Sequence, residues 1–250
     1  MRIDHVRRLG IVALALGLAA CGKQNESANS TAPAVSAPTA PAVAAPSRDW
    51  TEQVAATSDG GFVMGNPNAP VKLIEYGSLT CPHCAEFAVD HEPTLKAKYV
   101  ATGRVSYEFR NYVRDGFDLT AALLARCNGP APFFKIVEQL YATQQNWMGK
   151  IMNLAPAEQQ RIQALPPDQQ GVAVAQAAGL DQFMKQRGVG WDKAQACIKD
   201  EKVQNKLLDM RKVAETQFQL QGTPTFVING KAVGSATWED LEPQLKAAGG

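Results

Sequence analysis

An α/β fold, with one sheet split in sequence by a long helical block, is predicted by three observations. Two strand-like segments, residues 71–76 and 105–110, flank a stretch of helical pattern. About a hundred mainly helical residues follow, 115–218. A β-hairpin and a short helix then close the chain, with Thr225–Ile228, an Asn229-Gly230 turn, Lys231–Val233 and a helix over 238–247. The order β–α–β, helices, β–β–α suits two packed layers around one core.

The elements follow from local chemistry in chain order. Arg2, Arg7 and Arg8 precede the apolar run LGIVALALGLAA of residues 9–20, which has signal-peptide character and is too short to span a bilayer. Leu18-Ala19-Ala20-Cys21 resembles a bacterial lipobox, in which the cysteine is lipidated and becomes the mature N-terminus; an ordinary cleaved signal with a chance cysteine is the alternative. Either reading implies export and a compartment that permits disulfides. Residues 1–20 carry three Arg and one Asp, a net +2, so the whole-chain charge of +1 becomes −1 for the remainder. That near-neutral balance gives no case for nucleic acid or another strongly charged partner.

Residues 21–48 read as a lipid-anchored linker. Thr31–Ser47 holds seven Ala and four Pro in seventeen residues and cannot bury enough apolar surface to offset its ordering entropy. The folded part is expected as residues 49–114, the helical insertion 115–218 and residues 219–250. VKLIEY at 71–76 is a strand entered from the turn-rich GNPNAP. A helix should run from Pro82 to about Val100, with Pro93 kinking it. Insertion helices are expected at about 117–128, 132–146, 156–165, 169–187, 191–199 and 201–218, broken at Gly and Pro clusters. Thr237 can cap the last helix. Trp147 and Trp191 read as insertion core, the Gln-rich 158–170 stretch as a solvated face, and His91 as exposed.

The chemical centre is Cys81-Pro82-His83-Cys84, where strand hands over to helix. Two thiols at this spacing fit a first helical turn and can close a small disulfide ring. Unpaired N–H groups and the helix dipole stabilise a thiolate at Cys81 and lower its pKa. A protonated His83 would favour the anion further, Pro82 fixes φ for helix entry, and Cys84 should be the less exposed sulfur. Thiol–disulfide exchange through Cys81, with Cys84 as the resolving thiol in the reductive direction, follows from this arrangement. Two other readings are weaker. A structural zinc site needs four ligands, and the chain has no second CxxC. A purely structural disulfide would close too small a loop to stabilise much. No metal or cofactor is expected.

The segment LIEYGSLTCPHC (73–84), together with GTPTFVING (222–230), resembles the DsbA-like thiol:disulfide oxidoreductases of the thioredoxin fold, over about residues 60–248. The resemblance implies a thioredoxin-like fold with an inserted all-helical domain. It implies a cis-proline at Pro224 facing the disulfide, and Thr223 pairing its backbone with extended substrate. Many oxidases of the family carry Val at the Thr223 position, so Thr leaves the redox poise open. It implies that Glu75 is a buried acid exchanging a proton with Cys84, where the alternative is a solvent-facing strand charge.

With Cys21 lipidated, four thiols allow three pairings. Only Cys81–Cys84 with Cys127–Cys197 leaves the motif intact, and the alternative for the second pair is two buried, unpaired side chains. The expected protein is a monomeric, membrane-tethered periplasmic oxidase. It would act on unfolded exported proteins with thiols and be recycled by a DsbB-type membrane partner. A disulfide isomerase or reductase kept reduced by a membrane donor is the second reading. The usual dimeric isomerases carry an N-terminal dimerisation domain, where this chain has a linker. A non-redox peptide-binding lipoprotein is the third.

Overall fold

The computed structural model describes residues 49–234 and 237–250. The expected signal segment 1–20, Cys21 and the linker to residue 48 lie outside the described residues.

Among the described residues six strands form one sheet. β3 (Val71–Gly77) and β4 (Val105–Asn111) run parallel, with Val71 opposite Val105 and Gly77 opposite Asn111. β4 is buried along its whole length, as a central strand covered on both faces must be. β5 (Thr225–Ile228) pairs antiparallel with the other side of β3, and β6 (Lys231–Gly234) extends the edge. Asn229 (φ 50°) and Gly230 (φ 82°) both take the left-handed conformation that a tight hairpin requires. β1 (Val54–Ala56) and β2 (Phe62–Met64) complete the order β1-β2-β4-β3-β5-β6. Neither of these two was expected from sequence. Each has three residues, too few to display an alternation, and β2 is specified by pairing with the distant β4.

The helix joining β3 to β4 is irregular. α1 (Pro82–Glu86) passes into a wide π turn at Phe87–His91, then α2 (Glu92–Leu95), then a second π turn at Lys96–Val100. The break expected at Pro93 falls here. Pro93 has no N–H to give the preceding turn, and the Glu92 N–H reaches five residues back to the Phe87 carbonyl.

Between β4 and β5 run α3 (Gly116–Arg126), α4 (Phe133–Ala142), α5 (Gln144–Met152), α6 (Pro156–Gln163), α7 (Pro167–Ala177), α8 (Leu180–Lys185), α9 (Trp191–Ile198) and α10 (Glu201–Gln217); α11 (Trp238–Ala247) ends the chain. Two expected helices divide. The 132–146 helix breaks at Thr143, and the 169–187 helix breaks at Gly179, whose φ of 75° no helix interior allows. Thr237 is the N-cap residue of α11 as expected, but its hydroxyl donates to the Asp240 carboxylate at 3.1 Å and does not accept from a backbone N–H. Trp147 is core, and Trp191 packs partly buried against that core. Sheet and insertion share one core: the Phe133 ring of α4 lies 4.4 Å from Phe62 and 5.8 Å from Phe109 of the sheet.

Cys127, at the end of α3, is bonded to Cys197 of α9 with the Cα atoms 5.5 Å apart. The bridge closes a 70-residue separation. Loop-entropy arguments place its contribution at about 4 kcal/mol. Replacing both residues by Ser is therefore expected to lower unfolding stability by about that amount in a urea titration, while the Cys81–Cys84 couple stays functional.

Candidate active site

β3 carries the chain to the site. After Gly77 a tight turn brings the Cys81 N–H to the Ser78 carbonyl at 3.1 Å, and Cys81 becomes the N-cap of α1 with Pro82 in the first turn. Both sulfurs are free thiols. Cys81 is 5% exposed and Cys84 fully buried. β5 runs antiparallel to β3 with Thr225 opposite Tyr76, so the residues preceding Thr225 reach the end of β3 from which Cys81 emerges. The Thr223–Pro224 peptide is cis, and the Cys81 thiol can donate to the Thr223 carbonyl at 3.2 Å.

The two thiols differ sharply in acidity. The Cys81 pKa lies well below the thiol range, at about 5. The hydrogen bond from the Cys84 thiol is the largest cause. The Thr223 hydroxyl and the backbone N–H groups of Cys84 and His83 add to it, against the opposing effect of burial. Cys84 is pushed far upward by burial first, then by its bond to Cys81 and the nearby Glu75 charge; the Ser78 N–H, 3.5 Å from its sulfur, opposes. The His83 imidazole takes a different place from the expected one. It is 80% exposed and turns to Glu86, 3.4 Å away, so the part of His83 that serves Cys81 is its backbone N–H.

Glu75 lies on the inner face of β3, 1% exposed, between Phe109 of β4 and Phe226 of β5. Its Oε2 accepts from the Tyr107 hydroxyl at 2.5 Å, and its Oε1 has no hydrogen-bond partner among the described residues. Burial raises its pKa to about 8, the charge of Glu92 adds to this, and Tyr107 opposes. Gly77 makes room for this carboxyl. A Cβ there would sit 2.6 Å from the Phe109 ring and 2.8 Å from Glu75 Oε1.

The insertion holds the loop. Asp118 of α3, 1% exposed, accepts from the Ser78 hydroxyl at 2.7 Å and the Leu79 N–H at 2.9 Å. Gln144 of α5 donates to the carbonyls of Leu79 (2.8 Å) and Cys81 (3.0 Å), and the Tyr141 hydroxyl to that of Ser78 (3.2 Å). Two clefts flank α1. One of about 390 Å³ is lined by His83, Phe87, His91, Pro224 and Trp238. The other, about 700 Å³, runs from Thr80 and Pro82 past Val89 to Met148 and Met152. His91 is half-buried and not exposed as expected, because its ring stacks on Trp238 at 6.0 Å.

The thioredoxin family model matches residues 57–247. The chain belongs to the thioredoxin family. Within that fold it is DsbA-like, with a helical insertion. It is 34% identical to a protein-disulfide isomerase from Novosphingobium aromaticivorans of known structure (TM-score 0.70), the match covering 74% of this chain and 95% of that one. It is 26% identical to the alpha-DsbA1 structure from Wolbachia pipientis (TM-score 0.56; 74% and 89% covered). A putative protein-disulfide oxidoreductase from Rickettsia conorii is 27% identical over 191 residues; that match spans 76% of this chain and 61% of the relative.

Sequence reasoning missed Asp118, Gln144, Tyr107 and Glu92. The first three act on residues far away in the chain, which no local pattern displays. Among the described residues no group of three or more His, Cys, Asp or Glu is placed to hold a metal ion. Thiolate absorbance at 240 nm in the reduced protein is expected to rise with a midpoint near pH 5, and at pH 6.5 iodoacetamide should modify Cys81 and spare Cys84.

Proposed function

We propose that this protein is a thiol:disulfide oxidoreductase that acts as an oxidase, introducing disulfides into exported polypeptides through a Cys81–Cys84 disulfide. The observation that carries this reading is the asymmetry of the dithiol: an acidic Cys81 above a buried Cys84 that resists ionisation.

The cycle follows from that asymmetry. A client thiolate attacks Cys81 Sγ of the disulfide, forming a client–Cys81 bond and displacing Cys84 as a thiolate. Buried Cys84 cannot stay charged, and Glu75, neutral below about pH 8, gives it a proton. A second client thiolate attacks the client sulfur of the mixed disulfide and expels Cys81 as a thiolate. The client loses two electrons and the protein gains them. Thr223 and the cis Pro224 present a backbone edge to an extended client beside the sulfur, in a strand-addition mode. Reoxidation falls to a membrane partner of the DsbB type. Residues 1–20 serve as an export signal, lipid on Cys21 as the anchor, and residues 22–48 as a tether that lets residues 49–250 work as a monomer at the membrane surface. Among the described residues no helix is long and apolar enough to cross a membrane.

The likeness to a structure named a protein-disulfide isomerase favours a second reading, in which the same thiols are kept reduced by a membrane donor. A stabilised Cys81 thiolate supports the oxidase, because it favours the dithiol form and makes the disulfide a strong oxidant. The reactive pair also supports redox turnover over a passive peptide groove.

Two measurements test the proposal. Equilibration with glutathione, in a background with Cys127 and Cys197 changed to Ser, is expected to give a potential closer to the about −120 mV of DsbA than to the about −270 mV of thioredoxin; a value near the latter would make the protein a reductant. Glu75→Gln, which can neither take nor give the proton, is expected to slow resolution of a Cys81 mixed disulfide by Cys84 about 10²-fold in stopped flow and to leave the Cys81 titration in place.

A further inference from the structure

In the cycle above a charge appears on Cys84 before its proton arrives, inside a core where a bare thiolate is costly. The fold places a donor on that sulfur. The Ser78 N–H lies 3.5 Å from Cys84 Sγ. The ladder between β3 and β4 ends at Gly77, so this N–H is released from the sheet one residue past the last pair. Ser78 is 1% exposed, and among the described residues the Cys84 sulfur is the one acceptor its N–H meets. A thiol or disulfide sulfur is a weak acceptor, whereas a thiolate is a strong one. The bond therefore strengthens as charge develops, which lowers a barrier without stabilising either end of the reaction.

The aim of this N–H is fixed by the peptides on both sides of Ser78. It belongs to the Gly77–Ser78 peptide, whose carbonyl accepts from the Tyr112 N–H at 2.8 Å. In the next peptide the Ser78 carbonyl accepts from the Tyr141 hydroxyl at 3.2 Å and the Cys81 N–H at 3.1 Å, and the Leu79 N–H donates to Asp118 at 2.9 Å. Asp118 also accepts from the Ser78 hydroxyl at 2.7 Å. Asp118 and Tyr141 belong to α3 and α4, so the helical insertion holds the peptide that faces the deeper sulfur.

We propose that the Ser78 N–H is a catalytic group that receives the charge of Cys84 as the disulfide opens, and that Asp118 and Tyr141 are positioning residues that aim it. The inference rests on the exchange chemistry proposed above, in whichever direction it runs. In the opening step the client sulfur bonds Cys81 Sγ and the Cys81–Cys84 bond breaks. Its electron pair goes to Cys84 Sγ, against the Ser78 N–H, until Glu75 gives the proton. In the closing step the same N–H faces the Cys84 thiolate as it attacks the mixed disulfide. Neither the disulfide nor the protonated Cys84 carries charge there, so the group speeds both directions equally and leaves their equilibrium alone.

The test uses the full-length protein and glutathione. It compares the rate at which glutathione opens the disulfide with the rate at which Cys84 closes it again from the Cys81–glutathione mixed disulfide. Replacing Ser78 by its α-hydroxy acid, through nonsense suppression, exchanges the N–H for an ester oxygen and keeps the side chain. Opening and closing are expected to slow by the same factor, about 10-fold, with the reduction potential and the Cys81 titration unmoved. A merely structural change would stabilise one form over the other and move the potential. Asp118→Asn and the conservative Tyr141→Phe keep the N–H and loosen its aim, so each should slow both directions about 3-fold at constant potential. Unchanged rates in the ester variant would overturn the proposal. So would a loss in one direction with a matching change of potential, and unchanged rates in both side-chain variants would remove the positioning role. If both rates fall as expected in a protein whose own potential lies near that of thioredoxin, the oxidase reading fails and the role of Ser78 stands.

Discussion

The hydrogen bond from the Cys84 thiol to the Cys81 sulfur is the interaction on which the site depends. It is the largest single cause of the Cys81 acidity, and it exists only while Cys84 keeps its proton. Burial guarantees that condition, because a fully enclosed sulfur cannot carry charge without a counter-charge. Everything adjacent serves the same division of labour. β3 supplies Glu75 on its inner face and launches the loop that ends at Cys81. Its parallel neighbour β4 supplies Tyr107, and its antiparallel neighbour β5 is preceded by Thr223 and Pro224. The central strand and its two partners thus each contribute one part of the machinery.

The helical insertion is bound into this arrangement. Residues 78–81 turn sharply inside the protein, where unpaired backbone groups would be costly. Three insertion side chains satisfy them: Asp118 for the Leu79 N–H, Tyr141 for the Ser78 carbonyl, and Gln144 for the carbonyls of Leu79 and Cys81. Asp118 is buried deeply enough to hold its pKa near 6, and its bonds from Ser78, Arg114 and Leu79 oppose that rise. A carboxylate this expensive to bury is retained because it fixes the turn that aims Cys81. The bridge from Cys127 to Cys197 braces α3, which carries Asp118, from its far end.

The order of elements was legible because each signal was local. Alternation marked β4, Asn229-Gly230 marked the β5–β6 hairpin, and Gly and Pro clusters marked most helix ends. The paired thiols were legible from their spacing, and Pro224 and Glu75 from the two segments resembling a known family. What stayed hidden depends on tertiary contact. Asp115 and Asp118 both look like caps of α3, yet only Asp115 caps it, while Asp118 reaches a loop 39 residues back in the chain. Glu92 and Lys96 have the spacing of an ordinary surface pair, and only the packing of the flanking π turns, Phe87–His91 on α4 and Lys96–Val100 on β4, buries Glu92. His83 misled for the opposite reason: its place in the motif suggested an imidazole beside the thiolate, and the first turn of α1 directs the ring outward.

The two perturbed groups pull stability in opposite directions with pH. Glu75 has its pKa raised from an ordinary 4.5 to about 8, so the stability it carries is full below about pH 4.5 and is lost as pH rises through 8. Cys81 has its pKa lowered from an ordinary 9 to about 5, so its contribution is full above about pH 9 and is lost as pH falls through 5. In the dithiol form the two slopes oppose each other between pH 5 and 8. In the disulfide form Cys81 has no proton to exchange, and the Glu75 slope stands alone. Raising the pH across this window therefore lowers the unfolding stability of the disulfide form relative to that of the dithiol form. The Glu75 slope is common to both forms, so the difference between them traces to the Cys81 thiolate, while the carboxyl enclosed between β4 and β5 serves Cys84 as its proton source.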